Sequence, residues 1–433
     1  MRFGVMYKLY QSVLLLMLPV VFVALLVTKR GRRRFLERFG IWRIIPYKVD
    51  WWIHAASLGE ARGVSSFIKR IREERPEAII LLTGTSPSGL EALEDQVDFA
   101  RLLPIDCGLL ISLALRWVSV ERLVITETEI WPSLLHNVFA RNIPVHIING
   151  RVSDYTVFFY QMARWIVSPL LARVSSICVP DELQQKRYLS LIGTEVAEGP
   201  EVVVTGHTKY DIGFKDADTS LTRQELFPGI SDDERVLTLG CLRSGEEELW
   251  FSCIERLWAE GKKLRVVVVP RHAERFEYFW KKVSSLTDRA CKFSDRLSGK
   301  RSTDRECDIL LVDALGVLRD MYSISDGAFV GATLVDIGGH NPFEAAMFGI
   351  PVVVGPYISV VAELIADMRR NNGIVEVQTS EDIERFLRSF VAGDAQLKAV
   401  GVAGGEVCDG YRGATSRVLK ILCAEEGGND LCV

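Results

Sequence analysis

Short apolar runs alternate with amphipathic stretches along most of this chain. Runs without a polar side are typical of strands in a parallel sheet that helices cover on both faces. A first series of predicted strands occupies residues 49–57, 78–83, 122–127, 145–149, 175–180 and 201–206. A second series occupies residues 235–240, 264–270, 308–313, 327–331, 351–356 and 373–377. The helical patterns between them predict an α/β protein with two doubly wound, Rossmann-like halves that face each other across a cleft.

The segment between the two series, GHTKYDIGFKDADTS, is polar and rich in glycine and aspartate, as interdomain linkers often are. Ligands of open α/β sheets bind beyond the carboxyl ends of the strands, so we look for functional residues there. We predict five divisions of the chain: a membrane anchor with a basic flank (1–40), an N-terminal Rossmann-like domain (41–205), a linker (206–215), a C-terminal Rossmann-like domain (216–400), and a C-terminal helix and tail (401–433).

The N-terminal segment LYQSVLLLMLPVVFVALLV, residues 9–27, contains no charged side chain and is followed by TKRGRRR. Nineteen uncharged, mainly apolar residues are about enough to span a bilayer as a helix. A cleaved signal peptide would need a small-residue cleavage site there instead of a basic cluster. We therefore predict a single N-terminal anchor, with the rest of the chain in the cytoplasm. A helix that lies in the membrane interface is the alternative.

The composition of the chain excludes several classes of protein but does not identify its function. A chain of 433 residues is long enough for two domains. Its net charge of −4 does not favour nucleic acid as a partner. Nine cysteines without a CxxC pair argue against a disulfide framework and against a zinc site. We therefore expect a reducing compartment and no metal.

In the first half, Glu60 follows a predicted strand in the motif SLGE. It could serve as a general base, but Ser57 and Glu60 also match a helix-capping box. Glu127 and Glu129 follow the next predicted strand in TETEIWP, where Thr126 and Glu129 match a second capping box. The sequence alone favours the cap for Glu60 and leaves the other carboxylates as hydroxyl or cation ligands.

Arg151, in the motif NGRVSD, could pair with a phosphate or carboxylate, or it could be a solvated turn residue. In the second half, Arg271 and His272 end a predicted strand, where a cation and a hydrogen-bond donor would suit a phosphate.

The motif GGHNPFEAA predicts a glycine-rich loop that leads into a helix, with Asn341 as N-cap and Pro342 at the first helical position. Gly338 and Gly339 would let the backbone approach a ligand closely, and the helix start would bind phosphate. Glu344 could be the cap partner, a ligand residue or both. The chain has neither a GxGxxG nor a Walker A motif, so a dinucleotide or an ATP γ-phosphate is not indicated.

Five motifs in order resemble the 3-deoxy-D-manno-octulosonic acid (Kdo) transferases of lipopolysaccharide synthesis: WIHAASLGE, TETEIWP, INGRVSD, VPRHAERF and GGHNPFEAA. The resemblance implies a GT-B glycosyltransferase fold, CMP-Kdo as donor and the acylated glucosamine disaccharide of a lipid A precursor as acceptor. It also implies an inverting transfer, and final helices that return to the N-terminal domain. We expect no cofactor, since CMP-Kdo is a substrate, and an enzyme on the cytoplasmic side of the inner membrane.

The resemblance also implies roles for the candidate residues. Glu60 falls on the family's proposed general base, and Glu127 falls in its acceptor site. The donor-binding positions are Arg271, His272, Gly338, Gly339, Asn341 and Glu344, with Glu344 on the ribose. Ser57 and Arg151 are candidates for acceptor or phosphate contacts.

One motif departs from the family pattern. In GCLRSGEE, Arg243 stands where the family has a histidine, which puts that histidine's role in doubt, whereas Glu246 and Glu247 are retained. The alternative functions are another GT-B glycosyltransferase that uses a UDP-sugar or CMP-sialic acid, and a membrane-tethered relative without activity.

Overall fold

The computed structural model describes residues 2–42, 48–193, 199–211, 221–297 and 306–424. Its contacts divide the chain into two compact units. The first unit comprises Met1–Ile212 and Tyr411–Val433, and the second comprises Gly213–Gly410. The end of the chain therefore belongs to the same unit as its beginning.

The first unit contains a seven-stranded parallel sheet in the order β4-β3-β2-β6-β7-β8-β9, and a separate parallel pair, β1 and β5. Its strands are β1 (Lys48–Val49), β2 (Trp51–His54), β3 (Ile80–Gly84), β4 (Phe99–Leu102), β5 (Ser119–Val120), β6 (Leu123–Thr126), β7 (Val145–Ile148), β8 (Ser176–Val179) and β9 (Glu201–Val204). The central strands are buried on both faces, as their continuous apolar sequences require.

Helices cover both faces of this sheet. They are α1 (Arg2–Val27), α2 (Lys29–Arg32), α3 (Leu58–Glu74), α4 (Pro87–Glu91), α5 (Gly108–Ala114), α6 (Pro132–Phe139), α7 (Asp154–Met162), α8 (Arg164–Leu171) and α9 (Glu182–Ile192), with 3₁₀ turns at Phe35–Phe39, Glu94–Gln96 and Thr208–Asp211. The last helix of the chain, here α19 (Ala414–Ala424), also packs on this unit, where Val418, Leu419 and Leu422 join its buried core. Within the described part of the chain, α1 alone is long and apolar enough to cross a membrane.

The second unit contains a seven-stranded parallel sheet in the order β12-β13-β11-β10-β14-β15-β16. Its strands are β10 (Arg235–Leu242), β11 (Leu264–Pro270), β12 (Ala290–Lys292), β13 (Ile309–Leu311), β14 (Gly327–Val330), β15 (Val352–Val354) and β16 (Val375–Glu376). Its helices are α10 (Arg223–Leu226), α11 (Glu247–Ala259), α12 (Phe276–Leu286), α13 (Phe293–Leu297), α14 (Leu318–Ser323), α15 (Phe343–Ala346), α16 (Ala362–Arg370), α17 (Ser380–Val391) and α18 (Ala395–Gly410), with a 3₁₀ turn at Ala273–Arg275.

The α/β class with two parallel sheets is confirmed, and every predicted strand has a counterpart. The prediction missed the edge strands β4 and β12 and the short pair β1 and β5. Strand β4 alternates half-buried and buried positions, and β12 has no fully buried residue, so neither has the apolar run on which the prediction relied. Part of the predicted linker is not a free connection: His207 and Thr208 are buried in the first unit, whereas residues 212–215 lie outside the described residues.

Candidate active-site residues in the two units

Three glutamates follow the neighbouring strands β2 and β6 of the first unit. Glu60 lies in the first turn of α3, and Glu127 and Glu129 lie in the loop after β6. Burial, followed by the charge of Glu60, raises the pKa of Glu129 to about 7. Burial and Glu60 also raise the pKa of Glu127, although the cations of Lys209 and Arg151 oppose the shift. The structure therefore brings three carboxyl groups into one acid cluster, an arrangement common at functional sites.

Glu60 combines a capping contact with an available oxygen. Its backbone N–H donates to the hydroxyl of Ser57, the N-cap of α3, over 3.2 Å. Its Oε2 accepts from the backbone N–H of Ala56 (2.8 Å) and lies 3.4 Å from the Thr126 hydroxyl, which donates to the backbone oxygen of His54. The second oxygen accepts no hydrogen bond from the described residues. The side chain is thus oriented by one oxygen, and the other has the chemistry to accept a proton.

The loop after β6 is irregular, so the predicted capping box of Thr126 and Glu129 is wrong. Thr126 is the last residue of β6, and its hydroxyl donates to the backbone oxygen of His54 (2.8 Å). The next helix, α6, begins only at Pro132. Glu127 has a left-handed φ of 58°, and its N–H donates to the oxygen of Ile148 on β7 (2.8 Å). This turn redirects the chain at the end of the strand.

The loop after β7 places Arg151 beside the acid cluster. Asn149, with a φ of 55°, is buried and exchanges two hydrogen bonds with Thr208: its Nδ2 donates to the hydroxyl (2.8 Å), and its Oδ1 accepts from the N–H (2.9 Å). The Arg151 backbone oxygen accepts from the Thr128 hydroxyl, while its side chain is exposed. The charge of Arg151 lowers the pKa of Glu127, so the guanidinium faces the carboxylates.

Two residues of the predicted linker belong to this site, and the sequence did not reveal them. Lys209 opposes the pKa rise of Glu127, which places its ammonium group near the acid cluster. His207 is buried, and burial together with the nearby charges of Lys209 and Arg151 holds its pKa well below the usual value. The motif GHTKYD carried both side chains, but its glycine and aspartate content favoured a linker.

In the second unit, arginines collect at the carboxyl ends of β10 and β11. Arg243 follows β10, and Arg271 and His272 follow β11. The Arg243 Nη1 donates to Nε2 of His272 over 2.6 Å. Since a guanidinium can only donate, Nε2 accepts and the proton lies on Nδ1, which faces Glu274 at 3.8 Å. His272 thus accepts a hydrogen bond from Arg243, while the Arg271 side chain is exposed.

The charges of these arginines influence the pKa values of a histidine and a glutamate, His340 and Glu344. Burial, followed by the charges of Arg243 and Arg271, lowers the pKa of His340 to about 4. Burial raises the pKa of Glu344, and Arg319 and Arg271 oppose that rise. The Glu344 carboxylate accepts no hydrogen bond from the described part of the protein. The arrangement offers positive charge for an anion and a carboxylate that can accept hydroxyl groups.

Glu246 has a structural part in the same unit. It is fully buried, and its oxygens accept four backbone N–H groups at 2.9–3.0 Å, from Arg243, Ala332, Thr333 and Leu334. Burial raises its pKa despite these donors. Glu247 is also buried and accepts from the N–H of Gly245 (2.7 Å) and from the Tyr278 hydroxyl (2.5 Å). Glu246 thereby joins the loops after β10 and β14, and Glu247 links the loop after β10 to α12.

The glycines of this motif pack closely against neighbouring residues, and the helix that follows begins later than predicted. Gly338 and Gly339 have φ values of 100° and 86°, and added Cβ atoms would lie 2.7 Å from Ser359 Oγ and 3.1 Å from a Val361 methyl carbon. Their small size is therefore required by packing against the protein's own residues 357–361. Helix α15 begins one residue later than predicted.

The start of α15 remains capped by asparagine. The N-cap position belongs to Pro342, and the predicted N-cap, Asn341, lies one residue before it. Its Oδ1 nevertheless accepts from the N–H of Phe343 over 3.1 Å. Asn341 thus orders the turn that leads to Glu344.

The sequence has clear relatives. Residues 33–212 match the family model described as 3-deoxy-D-manno-octulosonic-acid transferase (kdotransferase). The chain is 31% identical to the 3-deoxy-D-manno-octulosonic acid transferase of Haemophilus influenzae, over 95% of this chain and 97% of that protein. This chain belongs to the Kdo transferase family. It is also 27% identical to a probable mitochondrial member from Arabidopsis thaliana, over 89% of this chain and 87% of that one.

Solved structures show the fold class of this Kdo transferase. The UDP-GlcNAc 2-epimerase of Neisseria meningitidis aligns with a TM-score of 0.56 and 16% identity, over 87% of this chain and all of that one. A glycosyltransferase of Rickettsia africae aligns with a TM-score of 0.53 and 12% identity, over 88% of this chain and all of that one. At such identities the likeness concerns the fold alone. The enzyme is a glycosyltransferase with the GT-B fold.

The departure at Arg243 has a structural counterpart in this Kdo transferase. Arg243 donates a hydrogen bond to His272 of the PRH motif, and its charge helps to lower the pKa of His340. Arg319, on α14, is a further cation near Glu344 that the motifs did not reveal. Neither relation could be predicted from spacing, since each joins loops that lie far apart in the sequence.

Proposed function

We propose that this Kdo transferase moves Kdo from CMP-Kdo onto the acylated glucosamine disaccharide of a lipid A precursor (tetraacyldisaccharide 4'-phosphate). The N-terminal unit would bind the acceptor, and the C-terminal unit would bind the nucleotide sugar. The enzyme would act at the cytoplasmic face of the inner membrane, to which α1 attaches it. No cofactor is needed, because CMP-Kdo itself carries the activated sugar.

The donor half of this proposal is supported by the cations of the second unit. When the bond between the anomeric carbon and the phosphate oxygen breaks, negative charge develops on the departing CMP. Arg271 is exposed and lies in the field that lowers the pKa of His340, so its guanidinium can bind this phosphate. Glu344, a carboxylate without a hydrogen-bond donor from the described residues, would accept the ribose hydroxyls. His272 would act through Arg243, which it orients.

The acceptor half is carried by one observation: Glu60 is held by one carboxylate oxygen and has the other available. In the reaction, Glu60 would take the proton of the acceptor hydroxyl as that oxygen attacks the anomeric carbon of Kdo. One C–O bond forms, the bond to CMP breaks, and the configuration at the anomeric carbon inverts. Glu127, with Arg151 and Ser57 nearby in this unit, would bind hydroxyl or phosphate groups of the acceptor.

The substitution Glu60→Gln tests this assignment without removing the orienting contacts. The glutamine oxygen can still accept from the Ala56 N–H, and glutamine is a good capping partner. We expect kcat for Kdo transfer to fall by about 10²- to 10⁴-fold, the usual range for loss of a general base. The thermal unfolding temperature and the affinity for CMP should change little. Near wild-type turnover would show that Glu60 is not the base.

Donor identity can be tested separately by calorimetric titration. We expect CMP to bind and UDP to bind more weakly, because the proposed donor is a CMP-sugar. Preference for UDP would instead favour a GT-B enzyme of different donor specificity. Incubation with CMP-Kdo and lipid A precursor, followed by mass spectrometry, would then identify the product.

A further inference from the structure

The N-terminal helix α1 packs along the first unit over nearly its whole length. One side of the helix is partly covered, and its members recur every three or four residues, as one helix face requires. These residues are Phe3, Tyr7, Tyr10, Gln11, Leu14, Leu18, Val21 and Leu25. The remaining surface of α1 is apolar and exposed: Leu16 is 78% exposed, Val20 60% and Val27 75%.

Polar side chains fasten the first half of α1 to the loop before α5. The Tyr10 hydroxyl donates to Asp106 (2.8 Å), whose carboxylate is buried and also accepts backbone N–H groups at the start of α6. Gln11 donates to the Ser133 hydroxyl (2.5 Å) and accepts from the Gly108 N–H (2.8 Å). In each of these contacts a hydrogen-bond donor meets an acceptor, so the position of α1 on the first unit is specific.

The second half of α1 is held against the same region. The ring of Phe22 lies 5.3 Å from that of Phe35 and 5.4 Å from that of Phe39. Phe35 and Phe39 belong to the 3₁₀ turn Phe35–Phe39. This turn is itself bound to the first unit, because Ile105 donates its N–H to the backbone oxygen of Arg38 over 2.9 Å. Both halves of α1 therefore rest on one side of the first unit.

A helix held in this way cannot also cross a bilayer. Crossing would remove Tyr10 from Asp106 and leave a buried carboxylate with fewer donors. It would also carry Gln11 towards hydrocarbon, where it would lose both partners. The docked helix instead presents a long apolar face outwards, beside a protein surface that stays in water.

The neighbouring helices extend this apolar surface. Helix α8 packs against both α1 and α7. On α7 and α8 the exposed side chains include Tyr155 (74%), Phe158 (58%), Met162 (63%) and Trp165 (44%). Tryptophan and tyrosine are enriched where proteins meet the bilayer interface. The sequence contains no acidic residue before Glu37, while Lys8, Lys29 and Arg32 are exposed, so the charge complements anionic lipids.

We propose that α1 lies in the plane of the membrane instead of crossing it, and that its exposed face and the aromatic side chains of α7 form one surface that binds anionic bilayers. The alternative occupants are a bilayer that α1 spans and a second copy of this chain. The experiments below separate the three.

Side-specific labelling tests the topology of α1. We would introduce Gly4→Cys, at an exposed position where a Cβ meets nothing within 4 Å, and Lys262→Cys in the second unit to mark the side of the protein body. Intact spheroplasts and inverted vesicles are treated with a membrane-impermeant maleimide, with the unsubstituted protein as background. We expect both positions to react from the same side. Reaction of Gly4→Cys from the opposite side would overturn the proposal.

Cross-linking in native membranes tests whether the docked helix is the membrane-bound form. A Cβ at Gly108 would lie 3.6 Å from the Gln11 side-chain carbon, so Gln11→Cys with Gly108→Cys should be joined by a short bis-maleimide. We expect most molecules to cross-link and to remain in the membrane pellet. The control pair, Gln11→Cys with the exposed Ser190→Cys, should not react. Cross-links that form only after detergent extraction would contradict the proposal.

A spin label at Met162→Cys tests the contribution of α7. In vesicles that contain anionic lipid, collisions with oxygen should exceed those with a water-soluble nickel chelate, and the Lys262→Cys label should show the opposite. Equal behaviour of the two labels would exclude α7 from the lipid surface. A label shielded from both reagents would indicate a second copy of the chain and would also overturn the proposal.

Discussion

The acid cluster of the first unit and the arginine cluster of the second lie at equivalent places in two similar sheets, but their charges are opposite. In the first unit, burial and a neighbouring carboxylate raise the pKa of Glu129 to about 7. In the second, burial and neighbouring arginines lower the pKa of His340 to about 4. In both units the cluster lies at the carboxyl ends of the sheet strands. The side chains there determine whether the cluster is acidic or basic. Glycosyl transfer from a nucleotide sugar needs a group that accepts a proton and a group that binds phosphate, and these are the roles that we propose for the two clusters.

Glu60 and Glu246 show how the same motif position can serve different ends. Each glutamate follows a sheet strand and lies at the start of a helix. Glu246 is fully buried and accepts four backbone N–H groups, so its carboxylate oxygens serve to hold two loops together. Glu60 is half-buried and has one backbone donor, the N–H of Ala56. The number of protein donors to a carboxylate therefore separates a structural glutamate from one that is available to a substrate.

The largest expected effect on stability concerns Glu246. The substitution Glu246→Ala leaves four N–H groups without their acceptor in a buried site, so we expect the free energy of unfolding to fall by about 3–5 kcal/mol. The control Glu248→Ala removes an exposed glutamate of the same helix and should cost at most about 0.5 kcal/mol. Urea unfolding measures both. Equal losses would show that the donor count does not distinguish the two kinds of glutamate.

Arg271 provides the corresponding test of the cation cluster. Because its side chain is exposed, Arg271→Ala should change the free energy of unfolding by no more than about 0.5 kcal/mol. Loss of a charge-assisted contact to phosphate should weaken CMP-Kdo binding by about 100-fold. The exposed Arg370, in the same unit, is the matched control, and Arg370→Ala should leave affinity unchanged. Unaltered nucleotide affinity of Arg271→Ala by calorimetry would remove Arg271 from the donor site.

A smaller effect is expected at Arg243. Replacement by methionine keeps much of the side-chain volume but removes the donor to His272 and one charge near His340. We expect donor affinity to fall by about 5- to 10-fold, the value of one charge-assisted hydrogen bond. NMR titration should show the pKa of His340 rising from about 4, while burial keeps it below 6.5. An unchanged histidine pKa would mean that Arg243 does not belong to the cluster.

A further effect is the pH dependence that the acid cluster imposes on the free energy of unfolding. The pKa of Glu129 is about 7 in the folded protein, against an ordinary value of 4.5, so the folded state holds the proton more tightly. Stability should therefore fall as pH rises from about 4.5 to 7, when the folded state must ionise a disfavoured carboxyl. Glu129→Gln removes this dependence, and urea unfolding from pH 5 to 8 should show the variant gaining on the wild type. A constant difference across that range would contradict the raised pKa.

The central strands could be predicted from sequence because a strand that is buried on both faces must be apolar throughout. Edge strands β4 and β12 lack that constraint and were missed. Helix α3 was predicted from its apolar spacing and its Ser57 cap, both of which are local features. The supposed cap at Thr126 failed because its hydroxyl finds a partner on the adjacent strand instead, at His54. Local patterns state what a side chain could do, whereas the neighbouring strand decides what it does.

The candidate site residues show the same division between local features and contacts made across the sheet. The motifs contained Glu60, Glu127 and Arg271 because each follows a recognisable strand. Lys209 was hidden in a segment whose composition favoured a linker, and the Arg243–His272 contact joins loops after different strands. Spacing along a chain carries no information on such pairs, since they depend on the order of strands in the sheet.

The return of α19 to the first unit has a consequence for biosynthesis. Val418, Leu419 and Leu422 complete a buried core that begins with β2, and Asp211 accepts the N–H groups of Gly413 and Thr415 at 2.8 and 2.6 Å. The intervening residues Gly213–Gly410 take on the order of 10–40 s to translate. During that time the nascent first unit has an uncovered apolar face. A chain that ended before α19 would leave this face uncovered, so the core of the first unit is complete only after the last helix has been made.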